Sequence, residues 1–427
     1  MGLRQSLDQI QTYAEHGVRY LHERLESGVV FFPLQQELRA DPHPYYRRLR
    51  ERDPVHRSRL GGGWVLSRYD DVLAVLRDPT WSSDERNWSR FQTYRMRGER
   101  AGMPDPYEEK RASMLRIDPP DHTRLRSLVS KAFTPRAVEA MRPRVALLID
   151  ELLAKVEARR SMELVGEFAA PLPVIVIAEL LGIPAAEHEH FRRLSDEAVR
   201  LLGDGPIAEK KRGVVGMQAL SDYFAAIVEA RRADPQEDLI SGLVAAEEAG
   251  DRLSLAEMLS TLVLLLVAGN ETTTKLIGNA ILALLCNPGE LERLRADPGL
   301  MTNAVEEFLR YDGPVQLTSR MARENRELCG RPVRKGEQIV LLLAGANRDP
   351  AVFPEPDRLD VGRRDVRHLA FSQGIHFCLG AQLARLEAAL AIEALVTRLP
   401  GLHLADPRIE WSSNTILRGP EALQLAW

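Results

Sequence analysis

The stretch from Ser254 to Cys286 limits the possible folds more than any other part of the chain. Ser254 and Glu257 match a capping box, in which each side chain satisfies a free amide at a helix start, and Pro288 supplies a stop. About 33 residues at 1.5 Å rise make a rod of roughly 50 Å, enough to cross a whole domain. Leu262 to Ala268 is apolar on every side, which predicts a helix buried all round. That run gives way to Gly269-Asn270-Glu271-Thr272-Thr273-Thr274, a helix-weakening glycine followed by a carboxylate and three hydroxyls. A buried carboxylate without partners costs on the order of several kcal/mol. The segment therefore lines a cavity or water channel, or is a polar stutter against a wet interface.

A rod of that length needs a large protein around it, and the chain has 427 residues, 44% apolar and 28% charged. These values exclude a disordered chain, a collagen-like fibre and a small disulfide scaffold. With 57 Lys and Arg against 61 Asp and Glu, the net charge of −4 gives no sign of nucleic-acid binding. Cys286, Cys329 and Cys378 are too scattered for a disulfide framework and point to a reducing compartment. The N-terminus lacks a signal-peptide pattern, and the longest apolar run falls short of the ~20 residues of a membrane span. The expectation is a soluble, cytoplasmic protein with no membrane anchor.

Most of the sequence reads as helix with short strands, an α+β class dominated by α. Residues 6 to 26 carry Leu7, Ile10, Tyr13, Ala14, Leu21 and Leu25 at helical spacing, which predicts a helical extension over residues 1–30. Val55 to Ser67, with Gly61-Gly62-Gly63 inside it, signals a hairpin. Thr80 to Met114 is polar and aperiodic, a long irregular loop with Trp81, Trp88, Phe91 and Tyr94 in it. Asp121 is placed to cap a helix reaching about Ala132, residues 317 to 343 read as strands, and a Pro-rich connector runs from Asp349 to Gly362. No repeat or low-complexity linker divides the chain, so residues 31–427 are read as one domain.

The second informative segment is Phe371-Ser372-Gln373-Gly374-Ile375-His376-Phe377-Cys378-Leu379-Gly380, followed by an apolar-periodic helix. A cysteine at a helix N-terminus feels the positive end of the macrodipole and unpaired amides, both favouring thiolate. Gly374 and Gly380 let the backbone approach something flat and close.

This segment resembles the haem-ligand loop of the cytochrome P450 family, Phe-x-x-Gly-x-x-x-Cys-x-Gly, at all four fixed places: Phe371, Gly374, Cys378 and Gly380. Ser372 departs from the family, which often has glycine there, and should stiffen the turn slightly. Ala268-Gly269-Asn270-Glu271-Thr272 resembles the family's acid–alcohol motif, Glu307-Phe308-Leu309-Arg310 its Glu-x-x-Arg helix, and Pro356-Asp357-Arg358-Leu359 its connector. The motifs occur in the expected order, and the similarity runs from about Phe32 to the C-terminus.

The resemblance implies the P450 fold and haem b, iron protoporphyrin IX, with Cys378 as axial thiolate; the push of such a thiolate toward O–O cleavage is a property of the family. It implies that His122, Arg126, Arg320 and His376 hold the haem propionates, and that Glu271 and Thr272 deliver protons where the helix is locally loosened. Glu307 and Arg310 oppose the apolar stripe of their helix, so spacing alone predicts a solvated pair; the resemblance instead buries them with Arg358 as third partner. Arg363, Arg364 and Arg367 are expected on a redox-partner face, with Arg385 nearby. Phe91, Val267, Ala268, Val315, Leu317 and Ile416 are the substrate-pocket candidates.

The implied activity is a monooxygenase that inserts one atom of O₂ into a small organic substrate, apolar or natural-product-like. Electrons would come from NAD(P)H through a ferredoxin reductase and a ferredoxin. The alternatives are a P450-fold peroxygenase using hydrogen peroxide and a non-catalytic haem sensor or ligand carrier.

Overall fold

The computed structural model describes residues 17–18, 20–31, 37–60, 63–100, 102–103, 113–201, 207–248 and 253–427. The central helix runs Leu255–Cys286, with both arms of the Ser254–Glu257 capping box in place. It packs against helices Pro171–Leu180, Ile207–Ala233, Met301–Asp312 and Ala381–Arg398. The expected all-round burial belongs to a different part of it. Val263 and Leu264 are only half-buried and Ala268 is exposed, whereas every residue from Thr273 to Leu284 is buried. Two polar residues in that buried half are bonded: Thr274 Oγ1 donates to the Ala169 carbonyl at 3.2 Å, and Asn279 Nδ2 to those of Asp312 and Arg418 at 2.8 and 3.2 Å. Among the described residues this is the one helix long and apolar enough to span a bilayer, and it is the core of the fold.

The hairpin Val55–Ser58/Gly63–Leu66 forms as the glycine signal predicts and extends to a four-stranded sheet. Gly63–Leu66 pairs in parallel with Gln338–Leu341, which pairs antiparallel with Thr318–Met321. Arg320 therefore lies within a strand, opposite Ile339. A three-stranded sheet places Gln424–Ala426 between Ser161–Glu163 and His403–Leu404. Architecture and class are those expected: mainly helix, with small sheets at the edge.

Three local expectations change. The Thr80–Met114 stretch contains a helix, Phe91–Arg100, and turns at Glu85–Asn87 and Met114–Arg116; residues 101 and 104–112 lie outside the described residues. Asp121 is the first helical residue of Asp121–Ser130, not its cap; its carboxylate accepts from Arg124 Nη2 at 3.2 Å. Leu7, Ile10, Tyr13 and Ala14 lie outside the described residues, and residues 20–27 are helical, but Leu21 and Leu25 face solvent.

The residue that anchors this helix is Glu23, 1% exposed. Its carboxylate accepts from the amides of Phe31 (2.6 Å), Arg59 (2.7 Å) and Leu60 (3.2 Å) and from His56 Nε2 (2.7 Å), while His56 Nδ1 meets Asp53 at 2.9 Å. Burial works against both charges, yet hydrogen bonds and the opposite charge lower the Glu23 pKa from 4.5 and raise that of His56 from 6.5. The His56 contribution is complete below pH 6.5 and is lost as pH rises through its raised value. The Glu23 contribution is complete above pH 4.5 and is lost as pH falls through its lowered value. Protease resistance of the N-terminal helix is therefore expected to be greatest between pH 4.5 and 6.5, and to fall about tenfold or more in Glu23→Gln. Cleavage of the Glu23→Gln protein at the wild-type rate would remove this anchor.

Candidate functional site

The loop before helix Ala381–Arg398 is held by its own backbone. Ser372 N donates to Leu369 O at 2.8 Å, Cys378 N to Phe371 O at 2.9 Å, and Leu369 N to Asn347 Oδ1 at 2.7 Å. Gly374, at φ +71°, seats the loop on helix Tyr69–Arg77: a Cβ there would lie 2.4 Å from the Leu76 carbonyl oxygen. Ser372 sits at φ 61° with its hydroxyl buried and unpartnered, so the departure from glycine costs strain instead of merely stiffening the turn. Left-handed backbone costs a residue with a Cβ roughly 1–2 kcal/mol, partly offset by the lower unfolded-state entropy of serine. Ser372→Gly is expected to stabilise the protein by about 0.5–1 kcal/mol in urea unfolding; a loss of stability would show that the strain is absent.

Cys378 lies two residues before the N-cap, Gly380. Burial raises its thiol pKa above the ordinary 9.0, outweighing the Gly380 amide and the charges of Arg126 and Arg385. The loop alone therefore does not make the thiolate that the helix-terminus argument predicts. A metal cation at the sulfur would, since a coordinating thiol is deprotonated outright.

Around this sulfur the chain gathers donors that lack acceptors. His122 and His376 stack at 4.2 Å between ring centroids, and His122 Nδ1 and His376 Nε2 are buried without partners. Arg320 is buried, bonded only to the Ser319 carbonyl (2.8 Å) and Thr318 Oγ1 (3.4 Å). Arg126 Nη2 donates to the Phe377 carbonyl at 2.5 Å. Burial and mutual repulsion depress the cluster: His376 to about 3, Arg320 to about 10 by desolvation, and His122 and Arg126 downward. Two guanidiniums, that of Arg320 buried, beside two imidazoles with buried unpartnered nitrogens suit a ligand carrying carboxylates. Gly269 on the central helix and Gly380 beside the cysteine each face open space, with no heavy atom within 4 Å of a Cβ. A thiol and four side chains able to donate to carboxylates fit a haem with two propionates.

On the central helix, Glu271 is buried, Oε2 has no partner, and desolvation raises its pKa. Thr272 Oγ1 donates to the Ala268 carbonyl at 2.7 Å. The expected loosening is not seen: the helix is continuous through this segment, and the hydroxyl takes up the carbonyl one turn back.

Glu307 and Arg310 are fully buried despite opposing the apolar stripe, joined by bonds of 2.6 and 2.8 Å. The third guanidinium is not Arg358. Its side chain is 57% exposed and pairs with Glu355, and only its carbonyl faces the network. Arg363, 11% exposed, takes that place at 3.1 Å from Glu307 Oε2 while also binding the carbonyls of Pro354, Glu355 and Arg358. Arg363 is thus removed from the expected partner face, where Arg364 and Arg367 remain exposed. Arg385 is neutralised by Glu306 at 2.6 and 2.9 Å. Burial opposes ionisation of Glu306, but His368 and Arg385 hold its pKa at about 2.

The pocket candidates separate. Val315 bridges Leu417, and Gln316 N bonds the Ile416 carbonyl at 2.8 Å, bringing Val315 beside the Ile416 segment, while Leu317 packs against a separate core cluster. Ala268 is exposed, but Val267 is packed in the main core and Phe91 is buried at the start of its own helix. Sequence reasoning missed the buried ion cluster in which Asp312 holds Arg418 and lies 3.5 Å from His43. These partners are far apart in sequence, and no local pattern marks them.

A thiol at a helix start beside side chains able to donate to carboxylates is an arrangement that suits a haem protein. The family model for cytochrome P450 matches residues 206–425. The chain is 42% identical to the cytochrome P450 monooxygenase PikC of Streptomyces venezuelae, covering 92% of this chain and 93% of that protein. It is 41% identical to the vitamin D(3) 25-hydroxylase of Pseudonocardia autotrophica, covering 89% and 92%. The solved structure of the polyketide synthase P450 PksS of Bacillus subtilis superposes with TM-score 0.84 at 38% identity, covering 93% of this chain and 99% of PksS. The chain belongs to the cytochrome P450 family; it is a monooxygenase whose cofactor is haem b.

Proposed function

We propose that this enzyme inserts one atom of O₂ into a small, largely apolar natural-product-like substrate. Electrons reach it from NAD(P)H through a ferredoxin reductase and a ferredoxin in the cytoplasm. The observation that carries the reading is Glu271, whose carboxyl keeps one buried oxygen without a partner, one residue before Thr272 on the central helix.

The bound haem supplies oxygen binding and activation. The chain's own residues do the rest. Cys378 would hold the iron, with the Gly380 amide directed at its sulfur. His122, Arg126, Arg320 and His376 would hold the propionates, which would give partners to the buried His122 Nδ1 and His376 Nε2 and a counter-charge to the buried Arg320. Glu271 passes protons inward, its raised pKa keeping it closer to the range where a carboxyl both takes and gives a proton. Thr272 turns its hydroxyl from the Ala268 carbonyl toward the reacting oxygen. Arg364 and Arg367 steer an acidic electron donor. Val315 and Ile416 form one wall of the substrate pocket, with Ala268 on the helix side and Val267 and Phe91 behind it. Residues 31–427 constitute the haem domain and residues 1–30 an extension, anchored through Glu23.

The test is a library screened by optical shift of the haem, with hits turned over using NAD(P)H plus redox proteins, and separately with peroxide. Product only with the former supports the reading; product only with peroxide replaces it by the peroxygenase. In Thr272→Ala, NAD(P)H consumption should continue while product per NAD(P)H falls by about tenfold or more and peroxide rises. Unchanged coupling would remove Thr272 from proton delivery.

A further inference from the structure

Lys275 is an ammonium-bearing side chain only 5% exposed, in the half of the central helix that is buried all round. An apolar side chain would fill that space without a desolvation cost, so its partners need explaining. One turn back, Glu271 Oε1 is 3.5 Å from Lys275 Nζ; on strand Pro420–Ala422, Glu421 Oε1 is 3.7 Å away on the other side. Lys275 is thus the most buried of the three, held between Glu271 at 13% exposure and Glu421, which reaches water at 55%.

The fold makes room for this ladder of three charges. A Cβ on Gly419 would lie 2.7 Å from Lys275 Cγ and 2.8 Å from its Cβ, so the bare backbone at 419 admits the lysine stem. The tether holds Glu271 by one oxygen only, since Oε2 is buried with no partner. A pair serving stability alone would leave neither oxygen free, because an unpaired buried acceptor is costly. The charged groups that act on Glu271 are Lys275 on its own helix and Glu421 on the strand above it.

We propose that Lys275 and Glu421 are the solvent-side limb of the proton path through Glu271, with Lys275 its positioning residue. The inference rests on the proton-delivery reading of Glu271 given above. In each passage Nζ gives one proton to Glu271 Oε1, the resulting amine takes one from a hydrated proton at Glu421, leaving water, and Glu271 passes its proton inward. No electron or heavy atom moves, and the ladder is then back at its starting charge.

The experiment compares wild type, Lys275→Met, Glu421→Gln and Glu271→Gln as haem-loaded proteins of equal pigment content, using any substrate found by optical shift. Product per NAD(P)H at neutral pH should fall several-fold in K275M and E421Q, and at least as far in E271Q. A second readout, independent of turnover, is the infrared band of the protonated Glu271 carboxyl in the resting protein, assigned by its loss in E271Q. Removing a cation within about 4–6 Å raises a carboxyl pKa by about one unit or more, so the band should persist about one pH unit higher in K275M. If K275M and E421Q match wild type in both readouts while E271Q is crippled, the limb is wrong and the Glu271 reading stands. If E271Q also turns over normally, the reading beneath fails and takes the proposal with it. Should K275M not fold, E421Q, altered at an exposed position, decides through the coupling alone.

Discussion

Replacing Glu307 by alanine is expected to destabilise the protein by about 3–5 kcal/mol, the cost of breaking a buried ion pair from one side. The variant should be recovered without haem. Glu307 accepts from Arg310 Nε and Nη2, from the Asp360 amide at 3.0 Å and from Arg363. Arg310 in turn holds the carbonyls of Asn347 and Pro356 at 3.1 and 2.8 Å. One carboxylate therefore ties helix Met301–Asp312 to the connector that leads into the cysteine loop. Without it, two buried guanidiniums face only carbonyl groups. Urea unfolding and pigment content measure the effect, and a Glu307→Ala protein with wild-type midpoint and haem would refute the keystone role.

Cys378→Ala should have the opposite profile, with the fold kept and the chemistry lost. The loop's hydrogen bond at this position comes from the backbone amide to Phe371, which alanine retains. Far-UV circular dichroism should match wild type, while the spectral signature of the reduced, carbon monoxide-bound haem disappears and monooxygenase turnover becomes undetectable. Persistence of that signature would mean that another group holds the iron. Together the two variants separate the proximal scaffold from the ligand it presents.

These two sites also mark what could be read from the amino-acid order. The capping box, the glycine hairpin and the cysteine loop were legible because each is a short segment whose residue types act locally. The burial of Glu307 and Arg310 was not, because the helix periodicity places them opposite the apolar stripe and only distant carbonyl groups make the interior tolerable. The choice of Arg363 over Arg358 was illegible for a similar reason. Both lie in an aperiodic connector, and the path of its carbonyls decides which guanidinium folds back. The N-terminal helix misled through its leucines, since the contact that fixes it is a carboxylate meeting three amides and a histidine. The thiolate argument failed on magnitude: desolvation of Cys378 outweighs the amide and cations near it. Lys275 was the signal that could have been noticed, a lone charge within an otherwise uncharged half-helix.

The position of Arg363 has a practical consequence for rewiring the enzyme to a foreign electron donor. Arg363 and Arg364 are adjacent in the chain, but one is packed against Glu307 and the other is in water. A charge-swap series along 363–367 would therefore mix two different quantities, scaffold integrity at the first position and encounter electrostatics at 364 and 367. Donor compatibility should be engineered at the latter two alone.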